Sequence, residues 1–172
     1  MSHTLNVLLL LASLLWTLLI TALIGNVIAT NINGHLAAVN FTMFVAVLSW
    51  LAVIVGLAAA FFASLARPML LIPLYAAVAV FSLIDGIVLA AELRATNCGN
   101  INKDHLPKDW IGWGSHNDEK RCREIQASTA FMWFLWACFS ASLFFVVREA
   151  RSGFGGSVLS SRPSMSQVSG SV

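Results

Sequence analysis

Charge is what this chain has least of: 10% of its residues are Asp, Glu, Lys or Arg, where soluble proteins carry roughly a quarter. That scarcity rules out a solvated globular surface over most of the chain. No run of Lys and Arg exceeds two residues and the net charge is +2, so the basic patch that a nucleic-acid partner requires is missing. The histidines (His3, His35, His105 and His116) all fall outside the long apolar stretches. An intramembrane metal site of His and carboxylate ligands is therefore excluded. No G-x-S-x-G elbow, P-loop or paired intramembrane carboxylate occurs, and neither an enzyme nor a cofactor is expected.

What remains is hydrophobic. Four apolar runs cover residues 5–29, 40–66, 69–91 and 125–147. Each is long enough to cross a hydrocarbon core, which takes about 20 helical residues. The expected fold is an all-α membrane protein: a four-transmembrane-helix bundle over 1–147, with helices at about 5–29, 40–66, 69–92 and 125–147. An outer loop, 93–124, separates the last two, and a flexible Ser/Gly-rich tail covers 148–172. Met1-Ser2-His3 lacks a basic n-region, so the first run reads as an uncleaved signal anchor. Arg67-Pro68 makes a tight connection between the second and third spans, because proline disfavours helix in the residue before it. Pro73 is expected in the first turn or so of the third helix, where a missing N–H costs least.

Two of the three cysteines, Cys98 and Cys122, sit towards the two ends of the long loop, and Cys138 lies inside the fourth run. The loop pair suggests a disulfide on the oxidising side of the membrane, worth about 3 kcal/mol; the alternative is two reduced thiols. Orientation is not decided by the Lys/Arg count. Arg67, Arg148, Arg151 and Arg162 lie on the side of the termini, against Arg94, Lys103, Lys108, Lys120, Arg121 and Arg123 in the loop, which by itself places the loop in the cytosol. The loop cysteines argue the reverse, and cytosolic termini are expected.

Within a bilayer, close backbone approach and polar contacts hold helices together. Small residues spaced by four mark such faces: Ser13, Thr17, Thr21, Gly25 and Ala29; Ala52, Gly56, Ala60 and Ser64; Ser82, Gly86 and Ala90; Ala137 and Ala141. Gly25, Gly56, Ala60, Ser82, Gly86 and Ala90 are the expected packing contacts. Asp85 is the one ionisable group at helical depth. Matching depths across the bundle pairs it with Thr21 and Ser49, as a carboxyl satisfied by hydroxyls or as a functional site. Asn40-Phe41-Thr42 is a glycosylation sequon that reads better as a helix entry. Trp110 and Trp113 favour the headgroup level, with the loop lying back on the membrane, or else pack under the loop. The aromatics crowding the fourth run cannot all face inward, so part of that helix faces lipid or a second copy.

Several segments carry a resemblance. Val39-Asn40-Phe41 opens the second helix, Arg67-Pro68 the third, and Gly86-Ile87-Val88-Leu89-Ala90 lies within it. Arg94-Ala95-Thr96-Asn97-Cys98 then leaves it, and Arg121-Cys122-Arg123-Glu124-Ile125-Gln126-Ala127 enters the fourth. Over essentially its whole length the chain resembles the fungal MARVEL-domain proteins of the non-classical export family. The resemblance implies a non-enzymatic plasma-membrane protein with cytosolic termini that organises lateral membrane domains, including the eisosome. It also implies a response to sphingolipid and a link to export without a signal peptide. Implied partners are membrane lipids (sphingolipid or sterol), further copies of the chain and eisosome proteins, with no nucleic acid. The family's loop cysteines map onto Cys98 and Cys122. One departure is that the acidic residue the family often carries early in helix three is Tyr75 here, so a role tied to it does not transfer. The alternative function is a small channel or transporter using Asp85.

Overall fold

The computed structural model describes residues 2–62, 65, 67–94, 97–99, 101, 106–107 and 109–159, with the side chains of 2, 3 and 152–159 outside the description. All four expected helices form: α1 Ser2–Ala29, α2 Ala37–Phe61, α3 Pro68–Leu93 and α4 Asp118–Leu159. Each is long and apolar enough to cross a membrane. At 1.5 Å per residue, the 25 residues of α2 and 26 of α3 reach about 37 and 39 Å. Each helix packs on its neighbours in sequence, and α1 closes the ring against α4. One end of the bundle carries the 30–36 connection and the end of α3; the other carries the start of α1, the end of α2 and the start of α3.

The buried positions follow a three-and-four spacing. On α1 they are Leu10, Ser13, Thr17, Ile20, Ile24 and Val27; on α4, Ile125, Ser128, Met132, Leu135, Phe139 and Ser142. That spacing keeps one seam facing inward along a helix of 3.6 residues per turn. Large apolar side chains such as Leu15, Leu18, Leu51, Ile54, Ile87 and Phe134 point outward. This is how a bundle solvated by hydrocarbon distributes its bulk.

Several boundaries differ from expectation. The fourth helix starts at Asp118 and not at 125. Asn117 caps it, accepting the Lys120 N–H at 3.0 Å, and Asp118 and Glu119 occupy its first turn, where the helix dipole favours negative charge. It also continues to Leu159, so 148–159 are helical where flexible tail was expected; residues 160–172 lie outside the described residues. α2 begins three residues early, at Ala37, and ends at Phe61 instead of Ala66, ahead of the turn to Arg67. Pro68 is the first residue of α3, one residue ahead of the expected start, and Pro73 is its sixth residue, inside the helix.

The fourth small-residue stripe is also corrected. Ala137 is exposed, and α4 buries Met132, Leu135 and Phe139 instead. Gly86, on α3, receives one of the bulky side chains of α4: a Cβ there would lie 3.3 Å from the Trp133 ring. Gly56, on α2, lies against the Tyr75 hydroxyl and Leu10 with no room for a methyl group. Tyr75 in turn stacks edge-on with Phe139, centroids 5.6 Å apart. Gly25 has only an ordinary contact, 4.0 Å to Met43 Cε. Ser82 is buried and Ala60 half-buried, but Ala90 is exposed and makes no packing face. Ser64 lies outside the described residues.

Candidate functional site

Two polar assemblies interrupt the apolar bundle. The first is at Asp85, whose side chain is 0% exposed. Its Oδ1 accepts a hydrogen bond from Thr42 Oγ1 at 2.9 Å, and the same hydroxyl lies 3.0 Å from the Ala38 carbonyl. Asp85 Oδ2 is buried without a hydrogen-bond partner among the described residues. The pairing with Thr21 and Ser49 is not what forms. Thr21 donates to the Thr17 carbonyl at 2.7 Å and accepts from Trp50 Nε1 at 3.1 Å. Ser49 donates to the Val45 carbonyl at 2.8 Å. Depth counting failed because α2 begins at Ala37, which moves the matching level towards its N-terminus, and because depth alone carries no azimuth. Thr42 and Ser49 share the buried face of α2, and it is the residue nearer the loop end that meets Asp85. The sequon threonine was thus the missed partner; its signal was a hydroxyl seven residues, two turns, from Ser49 on the same face.

The second assembly closes the loop end. Cys98 and Cys122 are joined by a disulfide, Cα atoms 5.6 Å apart, which ties the exit of α3 to the second turn of α4. Next to it, Arg121 is 1% exposed. Its Nε donates to the Ile111 carbonyl at 2.9 Å, Nη1 to Asn31 Oδ1 at 2.8 Å, and Nη2 to the His35 carbonyl at 3.3 Å. One guanidinium therefore fastens the α1–α2 connection, the long loop and the start of α4 together. A fork of five donors in fixed geometry suits that task, and an ammonium would not replace it.

The two connections also touch through backbone. Ile32 N donates to the Gly114 carbonyl at 2.8 Å. Gly114 has φ +101°, and a Cβ on it would collide with the Gly34 backbone. Only glycine fits both the sign of that torsion and the closeness of the strand of chain opposite.

Trp110 is 1% exposed and donates from Nε1 to the Leu93 carbonyl at 3.3 Å. It is a packing residue under the loop and not an interfacial anchor; Gly112 lies directly over its ring. Trp113 is half-buried, donates to the Pro107 carbonyl at 2.9 Å and meets Trp110 edge-on at 5.0 Å. Reading Arg121 as one more loop charge missed its role, because the acceptors come from chain that is remote in sequence. Beside the cap, Asn26 of α1 donates to Glu124 of α4 at 2.6 Å. Among the described residues no group of three or more His, Cys, Asp or Glu is placed to hold a metal.

The arrangement is built to seal and to brace. The disulfide, Arg121 and the edge-on tryptophan pair fix the relative positions of the helices at one end, while the buried Asp85–Thr42 contact links α2 to α3 lower down.

Comparison with known proteins is in keeping with this architecture. The model of a membrane-associating domain, MARVEL, matches residues 3–145. Non-classical export protein 2 of Saccharomyces cerevisiae is 34% identical over 115 residues, which make up 66% of this chain and 64% of that protein. Non-classical export protein 102 of Candida albicans is 41% identical over 76 residues, 44% of this chain and 41% of that protein. The chain thus spans less than two thirds of the length of either relative. No solved structure matches it.

Proposed function

Because the chain belongs to the MARVEL family of membrane-associating domains, we propose that this multi-pass membrane protein is a non-enzymatic organiser of lateral domains in the plasma membrane. It works by contact with lipid and by self-association, and takes part in export without a signal peptide, as the names of its relatives suggest. The observation that carries this reading is the division of labour in the bundle. The inward seam is closed and braced by the cap, and the outward face of every helix is a row of large apolar side chains. Such a body offers lipid a rigid surface.

Length supports a preference for thick, sphingolipid- and sterol-rich membrane. α2 and α3 run about 37–39 Å, beyond the roughly 30 Å of an average hydrocarbon core, and spans of that kind sort to thicker bilayers or tilt. The disulfide suits an oxidising compartment, which supports an orientation with the cap outside and both termini in the cytosol. Arg148 and Arg151 then reach anionic cytosolic lipid, each contributing about 1 kcal/mol. Eisosome proteins are the proposed neighbours in these domains.

The test is fluorescence imaging of the tagged protein before and after inhibition of sphingolipid synthesis. Discrete surface patches that disperse on inhibition are expected; uniform distribution under both conditions refutes the reading. One observation favours a channel or transporter instead, the unpartnered Asp85 Oδ2. Asp85-dependent flux in reconstituted vesicles would establish that alternative.

A further inference from the structure

Hydroxyls on these helices share one habit. The buried hydroxyls of Ser13, Thr17, Thr42, Ser49, Ser82 and Ser128 each lie within hydrogen-bond distance of a carbonyl three or four residues back. Ser142 of α4 departs from it. The residue is fully buried, and its Oγ has no hydrogen-bond partner among the described residues. Its hydrogen is therefore not engaged by its own helix. Asn6 of α1 is in a similar position: it is half-buried, and its Oδ1 is sealed from the surface without a hydrogen-bond partner among the described residues.

The register of α1 on α4 brings these two oxygens to one level. Asn26 bonds Glu124, and the Trp16 ring tilts over Phe134 with centroids 5.1 Å apart. The helices run in opposite directions, so these contacts, followed twenty and ten residues along, both place Asn6 level with Phe144. Ser142 is two residues from Phe144, about 3 Å in rise. Both residues belong to the inward face, since Asn6 stands one turn from Leu10 and Ser142 one turn from Phe139, and Leu10 and Phe139 are fully buried. Leu10 and Tyr75 meet at Gly56, and Phe139 stands against Tyr75. One turn on from those contacts, α2 and α3 contribute Ala59 and Leu71, both buried. Four helices thus enclose the level at which Asn6 and Ser142 face each other.

A hydroxyl hydrogen and an amide oxygen are a matched donor and acceptor, yet no hydrogen bond joins them. The geometry points to a bound-water site at the end of the bundle where α1 begins: one water molecule lies between α1 and α4, accepting from Ser142 Oγ and donating to Asn6 Oδ1. Ala59 and Ser142 are short side chains, so bulk does not fill this level. Buried waters take the place of such missing partners and make about three hydrogen bonds each; the spare lone pair of a helix carbonyl suits the second hydrogen. Because both oxygens are sealed from the surface, size selects water over the hydroxyl of a lipid. The Tyr75 hydroxyl is no part of the site, for it fills the space at Gly56, where a methyl group does not fit. The α1–α4 seam is thereby clamped at both ends, directly by Asn26 and Glu124 beside the cap and through water at the far end. The site stands independently of the proposed function.

The test combines stability with direct detection of the water, using the full chain in mixed micelles. Ser142→Ala and Asn6→Leu are each expected to lower the folded-to-unfolded ratio about fivefold, the scale of one hydrogen bond, because each leaves the water and the opposite oxygen short of a partner. The double variant removes every group that holds the water and is no less stable than either single one. In a dry seam the signs reverse: each substitution deletes an unsatisfied polar atom and leaves the ratio unchanged or raised. The second readout is nuclear magnetic cross-relaxation from water to the Ala59 methyl group. A cross-peak is expected in the unaltered protein and lost in Asn6→Leu, which keeps the Ser142 hydroxyl. Single variants as stable as the parent, strictly additive losses, or no water cross-peak at Ala59 overturns the site. Persistence of that cross-peak in Asn6→Leu also overturns it, since the signal then comes from the serine hydroxyl itself.

Discussion

Replacing Gly56 by alanine tests the packing of the bundle where it is tightest. The added Cβ would sit on the Tyr75 hydroxyl and 3.1 and 3.2 Å from the two Leu10 methyl carbons. Leu10 and Tyr75 are both fully buried, and Phe139 stands against the tyrosine ring. Neither side chain has free space to retreat into, so α2 must move away from α3. Overpacking of this kind costs about 1–3 kcal/mol, and the upper half of that range is expected because the obstructing atom ends a rigid ring. The Tyr75 hydroxyl has no hydrogen-bond partner among the described residues. Tyr75→Phe alone is therefore neutral or stabilising by up to about 1 kcal/mol, since it removes a buried polar atom that nothing satisfies. In the double variant the oxygen that the new methyl strikes is gone. A coupling of at least about 1 kcal/mol in favour of the pair is expected, as for residues in direct contact. The assay is reversible unfolding of the purified protein in mixed micelles, with all four forms of the cycle compared. Additive effects, or a Gly56→Ala protein as stable as the parent, refute the assignment of Tyr75 to the α2–α3 seam.

Arg121→Met removes the clasp at the loop end, leaving the Ile111 and His35 carbonyls without this donor and Asn31 Oδ1 with the Gly34 N–H alone. A loss of roughly 3 kcal/mol is expected from three such bonds, read as a lowered unfolding midpoint; a change below about 0.5 kcal/mol would show that the contacts are incidental. Converting both Cys98 and Cys122 to serine opens a loop of 24 residues' separation and should cost about 3 kcal/mol by the chain-entropy relation. The same decrease on adding reductant to the unaltered protein confirms it. Asp85→Asn keeps an acceptor for Thr42 in the same volume, so folding and localisation are expected to be retained within about 1 kcal/mol. Failure of that variant to reach the membrane would assign the carboxyl an active role in assembly.

Much of the architecture could be read directly. The count of spans, the cysteine pair and the small faces of α2 and α3 around Gly56 and Gly86 follow from run length and spacing. The start of α4 was legible too, in the Asn117 cap and the acidic pair behind it, but the apolar boundary at Ile125 drew attention away. Ala90 and Ala137 show the limit of spacing arguments, since both carry the expected pattern and both face outward. The pattern repeats on an alanine-rich helix whichever face is buried.

Hydrophobicity along one dimension determined that this chain crosses a membrane four times, because hydrocarbon tolerates no unsatisfied backbone and selects helices of spanning length. Where each helix turns its faces was decided only on assembly. Thr42 and not Ser49 meets Asp85, Trp110 lies beneath the loop instead of on the lipid, and Arg121 finds acceptors some ten to ninety residues away. Such contacts depend on azimuth and on loops docking against each other. A hydrogen bond forms over about 3 Å, a distance that residue spacing along a single strand of sequence does not encode.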